Sequence, residues 1–522
     1  MDRRQFIGCS SAAAAGLILL RGRGGSAIAS PTPLPDADMK TLATIALETA
    51  RKAGASYADI RINRYRNQYL GTREDKVQSI SDDESFGFGV RVLASGAWGF
   101  AASTDVTRDS VIRAAKQAVA IAKANAKLQK EPVMLAPVAA FQDKWSTPIE
   151  INPFTIPIEE KVDLLLAINR EALKAKGAKF CESSLFQTNE KKFFASTEGS
   201  VIEQDIFRIW PSFEVTAVNA DGTDFQSRAG FSTPIGRGYE YCREYPLLED
   251  ARKAGEDAVE KLSAPSITPG KRDLILMPEH MWLVIHESIA HATELDRALG
   301  FEANYAGTSF VTTDDLRKLK YGSDVINIVG DRTERHGLAT VGYDDEGVKA
   351  SRFDIIRDGT FVGFQTIREQ AAWVGDHESH GCAYADSYEH VPMQRMPNVS
   401  LLPGEKKLSP EDLIAGIDDG VMIKGEGSWS IDQQRRNFQF GGQVFYQIKG
   451  GKITGMLRDV AFQAMTLDFW RSCDAVCSKE HYKLGGSYYC GKAQPGQVAP
   501  VSHGCAPARF RNVNFINTGR NA

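Results

Sequence analysis

Between Pro278 and His291 the chain runs an apolar stretch, Met281-Trp282-Leu283-Val284-Ile285, directly into His286-Glu287 and on to His291. Pro278 suits a first helical turn, so the segment is expected to enter as a helix. Two imidazoles and a carboxylate then fall within six residues. Neutral imidazoles suit Zn²⁺, and a glutamate beside the first ligand can take a proton from metal-bound water without ligating the ion itself. Histidines four apart on a helix diverge by about 40° and share a face, whereas histidines five apart diverge by roughly 140°. A regular α-helix would not aim His286 and His291 at one ion. A π-type bulge or a local unwinding between them is therefore expected. The bland alternative is two histidines that happen to lie on one half-buried helix.

Further blocks follow in order: Gly307-Thr308-Ser309, Asp344-Asp345-Glu346-Gly347, Ser387-Tyr388 through Arg395-Met396-Pro397-Asn398, and Cys490-Gly491-Lys492 with Gly496-Gln497. With the helix segment they resemble the HExxxH, GTS, DDEG, SYxHxPxxRM and CGKxGQ blocks of the TldD/PmbA peptidases, specifically the metal-bearing TldD-like branch. The resemblance spans roughly residues 40 to 520 and implies a zinc peptidase acting on unfolded or leader-type peptides. It nominates Cys490 as the third zinc ligand beside His286 and His291, with Glu287 as general base. The last block is one residue longer than usual, and His503 and Cys505 follow it with ligand chemistry of their own, so either is an alternative to Cys490. Glu294 fits equally as a ligand, as an acceptor behind an imidazole, or as an exposed helical residue. His390 is a candidate for oxyanion stabilisation or a structural histidine. His377 and His380 sit in a polar loop and are not expected to form the primary site.

At the start, Arg3-Arg4-Gln5-Phe6 precedes an apolar run from about Ala12 to Leu20 and then Ala27-Ile28-Ala29. This reads as a twin-arginine export signal over residues 1–29, which places the mature protein in the periplasm. The apolar run is shorter than the roughly 20 residues a membrane span needs. Removing Arg3, Arg4, Arg21, Arg23 and Asp2 leaves 58 basic against 65 acidic residues, net −7. That balance, with no basic block, argues against nucleic acid as a partner. Seven cysteines remain, an odd number, so at least one thiol lacks an intrachain partner; Cys473–Cys477 and Cys477–Cys505 are candidate pairs.

The fold class expected is α+β. Helices are read over 37–53, 106–128 (capped by Ser103, Thr104 or Asp105), 157–176 and 247–262. Alternation at Ala58, Ile60 and Ile62, at Phe86 to Val92, and at Trp98 to Ala102 predicts a half-buried antiparallel sheet. The Pro- and Gly-bearing stretch 263–270 marks a boundary between an N-terminal α+β domain with an antiparallel sheet (30–264) and a C-terminal β-rich domain (265–522) carrying the metal-site helix. The family implies pairing with a PmbA/TldE-like subunit, or a homodimer through the same surfaces.

Overall fold

A computed structural model describes residues 36–519; the expected export signal lies outside them. The chain begins with helix α1 (Asp36–Lys52), then long antiparallel strands β1 (Tyr57–Arg73) and β2 (Lys76–Ala94), strand β3 (Ala97–Ser103) and helix α2 (Arg108–Asn125). Short strand β4 (Gln142–Ser146), helix α3 (Ile158–Ala172), strands β5 (Ala178–Ser196), β6 (Val201–Val218) and β7 (Phe225–Ala229) and helix α4 (Leu247–Ser263) complete the first half. Its seven strands make one sheet ordered β3-β2-β1-β5-β6-β4, with β7 also on β6. The four expected helices are present, α2 and α3 shorter than expected and α1 and α4 within one residue of the expected ends. The cap of α2 is Thr107, whose hydroxyl accepts the Ser110 N–H, and not Ser103, Thr104 or Asp105.

Alternation along β1 sorts the sheet's two faces. Ile60, Ile62 and Leu70 point to one side, where α1 and α2 cover one end of the strands and α3 and α4 the other. On the opposite side Asp59, Arg61 and Asn63 are buried as well. Arg91 pairs there with Asp59 and Glu346 at 2.7 and 2.9 Å, and Lys192 with Asp345 at 3.0 Å. A polar face buried against the second half has no alternating apolar signature, which hides the middle of β1, and residues 76–85 of β2 are largely exposed and carry no apolar alternation either. The Asp-Asp-Glu block joins the two halves through Asp345 and Glu346, while Asp344 holds the block in place within the second half by accepting the N–H groups of Glu346, Val348 and Ala383.

In the second half, strand β8 (Gly270–Leu276) leads into helix α5 (Pro278–Ile285). β8 lies between strand β9 (Asp419–Ile431), to which it is parallel, and the antiparallel C-terminal strand 508–517. Strand 508–517 pairs 460–465, which pairs 437–449, which pairs β9 again, so five strands close on themselves. A separate hairpin, β10 (Lys483–Lys492) and β11 (Gln497–Cys505), packs with β9 against α5. The C-terminal half is thus β-rich with the histidine helix in its core, as expected. All seven cysteines among the described residues are unpaired. Cys473 and Cys477 stand at opposite ends of a short extended segment, 473–476, so their Cα atoms are roughly 13 Å apart, too far to bridge. Cys505 turns its thiol to the Pro278 carbonyl instead.

Candidate metal centre

Helix α5 is regular to Ile285, and residues His286–Ala290 then form a single π turn in which the His291 N–H donates to the His286 carbonyl. The extra residue per turn supplies the rotation that five-residue spacing lacks, and the two rings meet at a centroid distance of 4.7 Å. Two side-chain hydroxyls secure the widened turn. Ser288 donates to the Val284 carbonyl at 2.6 Å and Thr293 to that of Ile289 at 2.9 Å. Trp470, fully buried, donates its indole N–H to Ser288.

The third residue arrives from far along the chain. β10 carries a register shift between Ser487 and Cys490, and a bulge of this kind re-aims the side chain that follows it. Cys490 Sγ lies 3.8 Å from His291 Nε2, and the donor atoms of His286, His291 and Cys490 all lie within 4.8 Å of one another, each residue buried. Ligands of a tetrahedral zinc stand about 3.3–3.8 Å apart, so the set fits with a small contraction. Arg395 fixes the strand by donating to the carbonyls of Cys490 and Gln497.

The remaining ring nitrogens are all engaged. His291 Nδ1 donates to Glu294 Oε2 at 2.8 Å, and the other oxygen of Glu294 accepts from Lys492 Nζ at 3.0 Å. Arg297 adds a second cation to Glu294 at 3.1 Å, and Lys492 also pairs with Asp296 at 2.8 Å. On the other side His286 Nδ1 meets His503 Nε2 at 2.7 Å. His503 Nδ1 donates to the Val399 carbonyl at 2.8 Å, so its Nε2 must accept and the His286 Nδ1 must carry the proton. Nε2 of both His286 and His291 is thereby left for an ion. Glu294 and His503 therefore stand behind the two candidate ligands, and Cys505 is not part of the cluster.

Burial pulls His286, His291 and His503 below the usual imidazole range and pushes the Cys490 thiol up. Neutral imidazoles are ready ligands, and a divalent cation would offset the thiol's desolvation by stabilising the thiolate. Lys492 first, then His291 and Arg297, hold the Glu294 carboxyl well below the ordinary range despite its burial. Two imidazoles and a thiolate are a donor set suited to catalytic zinc, which takes three protein ligands.

Residues 58–122, 151–264 and 269–517 match, in turn, domain 1, the central domain and the C-terminal domain of the PmbA/TldA metallopeptidases. The chain belongs to this family. It is 29% identical over 450 residues to a metalloprotease of Methanocaldococcus jannaschii, covering 86% of this chain and 94% of that one. It is 26% identical over 470 residues to a zinc metalloprotease TldD homolog of Saccharolobus solfataricus, covering 88% and 96%. Its fold matches the crystal structure of TldE from Thermococcus kodakarensis with a TM-score of 0.70 at 17% identity, over 92% of this chain and 99% of that one.

Elsewhere in the chain the other candidates fall away from the cluster. His390 pairs with Asp386 at 2.6 Å, and its carbonyl accepts from Arg61. His380 stacks on Phe353 and binds the Phe364 carbonyl, while His377 is exposed. Glu287 is nine-tenths buried beside His286 and pairs at 2.6 Å with Arg435. Sequence reading missed Arg435, Arg297 and the anchoring role of Lys492. Lys492 lay within a quoted block, whereas Arg435 sits in a polar turn that carries no motif.

Proposed function

We propose that this chain is a zinc-dependent peptidase that hydrolyses unfolded or leader-type peptides. The observation that carries the reading is the convergence of His286, His291 and Cys490 on one buried point with a carboxylate, Glu287, beside it. The names of the relatives support it. His286 and His291 through Nε2, and Cys490 through its thiolate, would hold the ion. Bound zinc supplies Lewis acidity, lowering the pKa of a water at its open position and polarising the scissile carbonyl. Glu287 takes the proton of the attacking water and passes it to the leaving amine, while the buried surroundings keep that transfer away from bulk water. An extended peptide held through backbone hydrogen bonds would be bound with little regard to its sequence. The same reading includes export by the twin-arginine route to the periplasm, and assembly with a PmbA/TldE-like subunit or as a homodimer that encloses the site.

Among the described residues no helix is long and apolar enough to cross a membrane. The test of the chemistry is Glu287→Ala: zinc is retained and cleavage of an unstructured casein peptide is lost. Near wild-type cleavage by that variant would remove Glu287 from the mechanism.

A further inference from the structure

Arg435 is presented to Glu287 by a turn that is tied from every side. The turn links β9 to strand 437–449, and Arg435 itself is left-handed, φ +65°. Asp432 accepts the backbone N–H groups of Gln434, Arg436 and Asn437 at 2.8, 3.1 and 2.8 Å. Thr466 donates its hydroxyl to the Arg435 carbonyl at 2.6 Å and its N–H to that of Arg436 at 2.8 Å. Phe310 donates its N–H to the Gln434 carbonyl at 2.8 Å. Gly307, also left-handed, lies so close that a Cβ there would come within 2.4 Å of the Gln433 carbonyl oxygen. A non-glycine residue in the left-handed region costs free energy and persists only where its surroundings over-determine it.

What this turn delivers is a guanidinium only 13% exposed, with Nη1 2.6 Å from Glu287 Oε2 and Nη2 3.4 Å from the Ala306 carbonyl. Its Nε–H is buried and has no hydrogen-bond partner. Its charge is close enough to bear on His286, His291 and Cys490 alike. A fixed cation with an unused donor beside a proposed general base has more capacity than one ion pair consumes.

We infer that Arg435 is a catalytic residue that stabilises the oxyanion formed when water adds to the peptide carbonyl. The inference rests on the proposed peptidase reading. In the addition step the water oxygen bonds to the carbonyl carbon, the C=O π electrons move to the carbonyl oxygen, and the water proton passes to Glu287. Glu287 becomes neutral as the oxyanion appears, so Arg435 loses its counter-charge when a new anion forms within its reach. In the collapse step the electrons return, the C–N bond breaks, Glu287 gives its proton to the amine, and the Arg435–Glu287 pair is restored. The Nη1 donor is thus paired with Glu287 in the resting enzyme and freed as Glu287 is protonated, while Nε–H is without a partner throughout, so the guanidinium binds the transition state better than the ground state, which is the differential binding that raises kcat.

Arg435→Met and Arg435→Lys are assayed on a fluorescein-labelled casein peptide, alongside zinc content and thermal unfolding. The expected result for Arg435→Met is a loss of kcat on the order of 10²–10³-fold with KM and zinc content little changed. Arg435→Lys, which keeps the charge without the planar fork, recovers part of that loss. Millimolar guanidinium chloride restores activity to Arg435→Met, a response that a merely structural arginine would not give. If Arg435→Met loses its fold, the lysine variant's kcat, measured against its own zinc content, decides the matter. Wild-type kcat in a folded variant, or a rise in KM with kcat unchanged, overturns the inference alone. A wild-type protein that binds zinc but cleaves no peptide overturns both the proposed function and this inference.

Discussion

His291 and His286 face one point from a single π turn, yet what stands behind them is opposite in character. Behind His291 is a fully buried carboxylate, Glu294, itself held by Lys492 and Arg297. Behind His286 is a second neutral imidazole, His503, which ends the chain of hydrogen bonds on a backbone carbonyl. Both arrangements fix the tautomer that leaves Nε2 free. Only the first also raises ligand basicity, and it does so with buried ions whose desolvation must be offset by near-complete pairing. The neutral arm needs no counter-charge. A site built this way gains one strongly donating ligand from a single buried carboxylate whose charge Lys492 and Arg297 offset, and the neutral arm adds no further anion.

Breaking the charged arm is expected to have the largest effect. Glu294→Gln leaves Lys492 and Arg297 buried with too little negative charge. It should destabilise the metal-free protein by roughly 3–5 kcal/mol and weaken zinc binding about 10–100-fold. Urea unfolding and chelator competition measure the two effects, and a variant of wild-type stability would show that the network is not tightly coupled.

A fourth buried imidazole shows what the neutral arrangement implies for pH. His280, on the same helix, donates Nδ1–H to the Gly425 carbonyl, and burial lowers its pKa to about 4. Its folded value lies below the ordinary value of about 6.5, so the unfolded chain takes up the proton first as pH falls. Stability is therefore present above pH 6.5 and is lost progressively towards pH 4. Between pH 7 and pH 5 this group accounts for about 2 kcal/mol. His280→Gln should lose less stability over that interval than the wild type, as read from urea midpoints at the two pH values; an equal loss would place the acid sensitivity elsewhere.

The smallest effect belongs to the neutral arm. His503→Leu removes the acceptor for the His286 Nδ1–H but strands no charge. Zinc affinity should fall about tenfold, near the low end for a partner of this kind, and the metal-free stability should change by less than in Glu294→Gln. An affinity loss equal to that of Glu294→Gln would erase the distinction between the two arms.

Much of this was readable in the sequence wherever the cause is local. The five-residue spacing of His286 and His291 called for a π-type bulge or a local unwinding, because a regular α-helix would not aim both rings at one point, and α1 to α4 showed through their apolar periodicity. Cys490 is different. It reaches His291 from 199 positions away through a bulged strand, so no spacing rule could find it and only the family resemblance named it. The roles of His503 and Glu294 stayed open for the same reason, since whether a side chain ligates or stands behind a ligand depends on which ring nitrogen it meets. The buried polar face of β1 was hidden because it packs against charges supplied by residues 344–346. Arg435 was hidden because Asp432 to Arg436 reads as an ordinary polar turn until Thr466 and Phe310 are seen to hold it.

Metal analysis of the purified protein beside Cys490→Ala and Glu287→Ala tests the central claim most directly. Three buried donors sharing one ion require about one zinc per chain in the wild type and in Glu287→Ala, and little in Cys490→Ala. A Cys490→Ala protein that keeps its full complement of zinc would contradict the account.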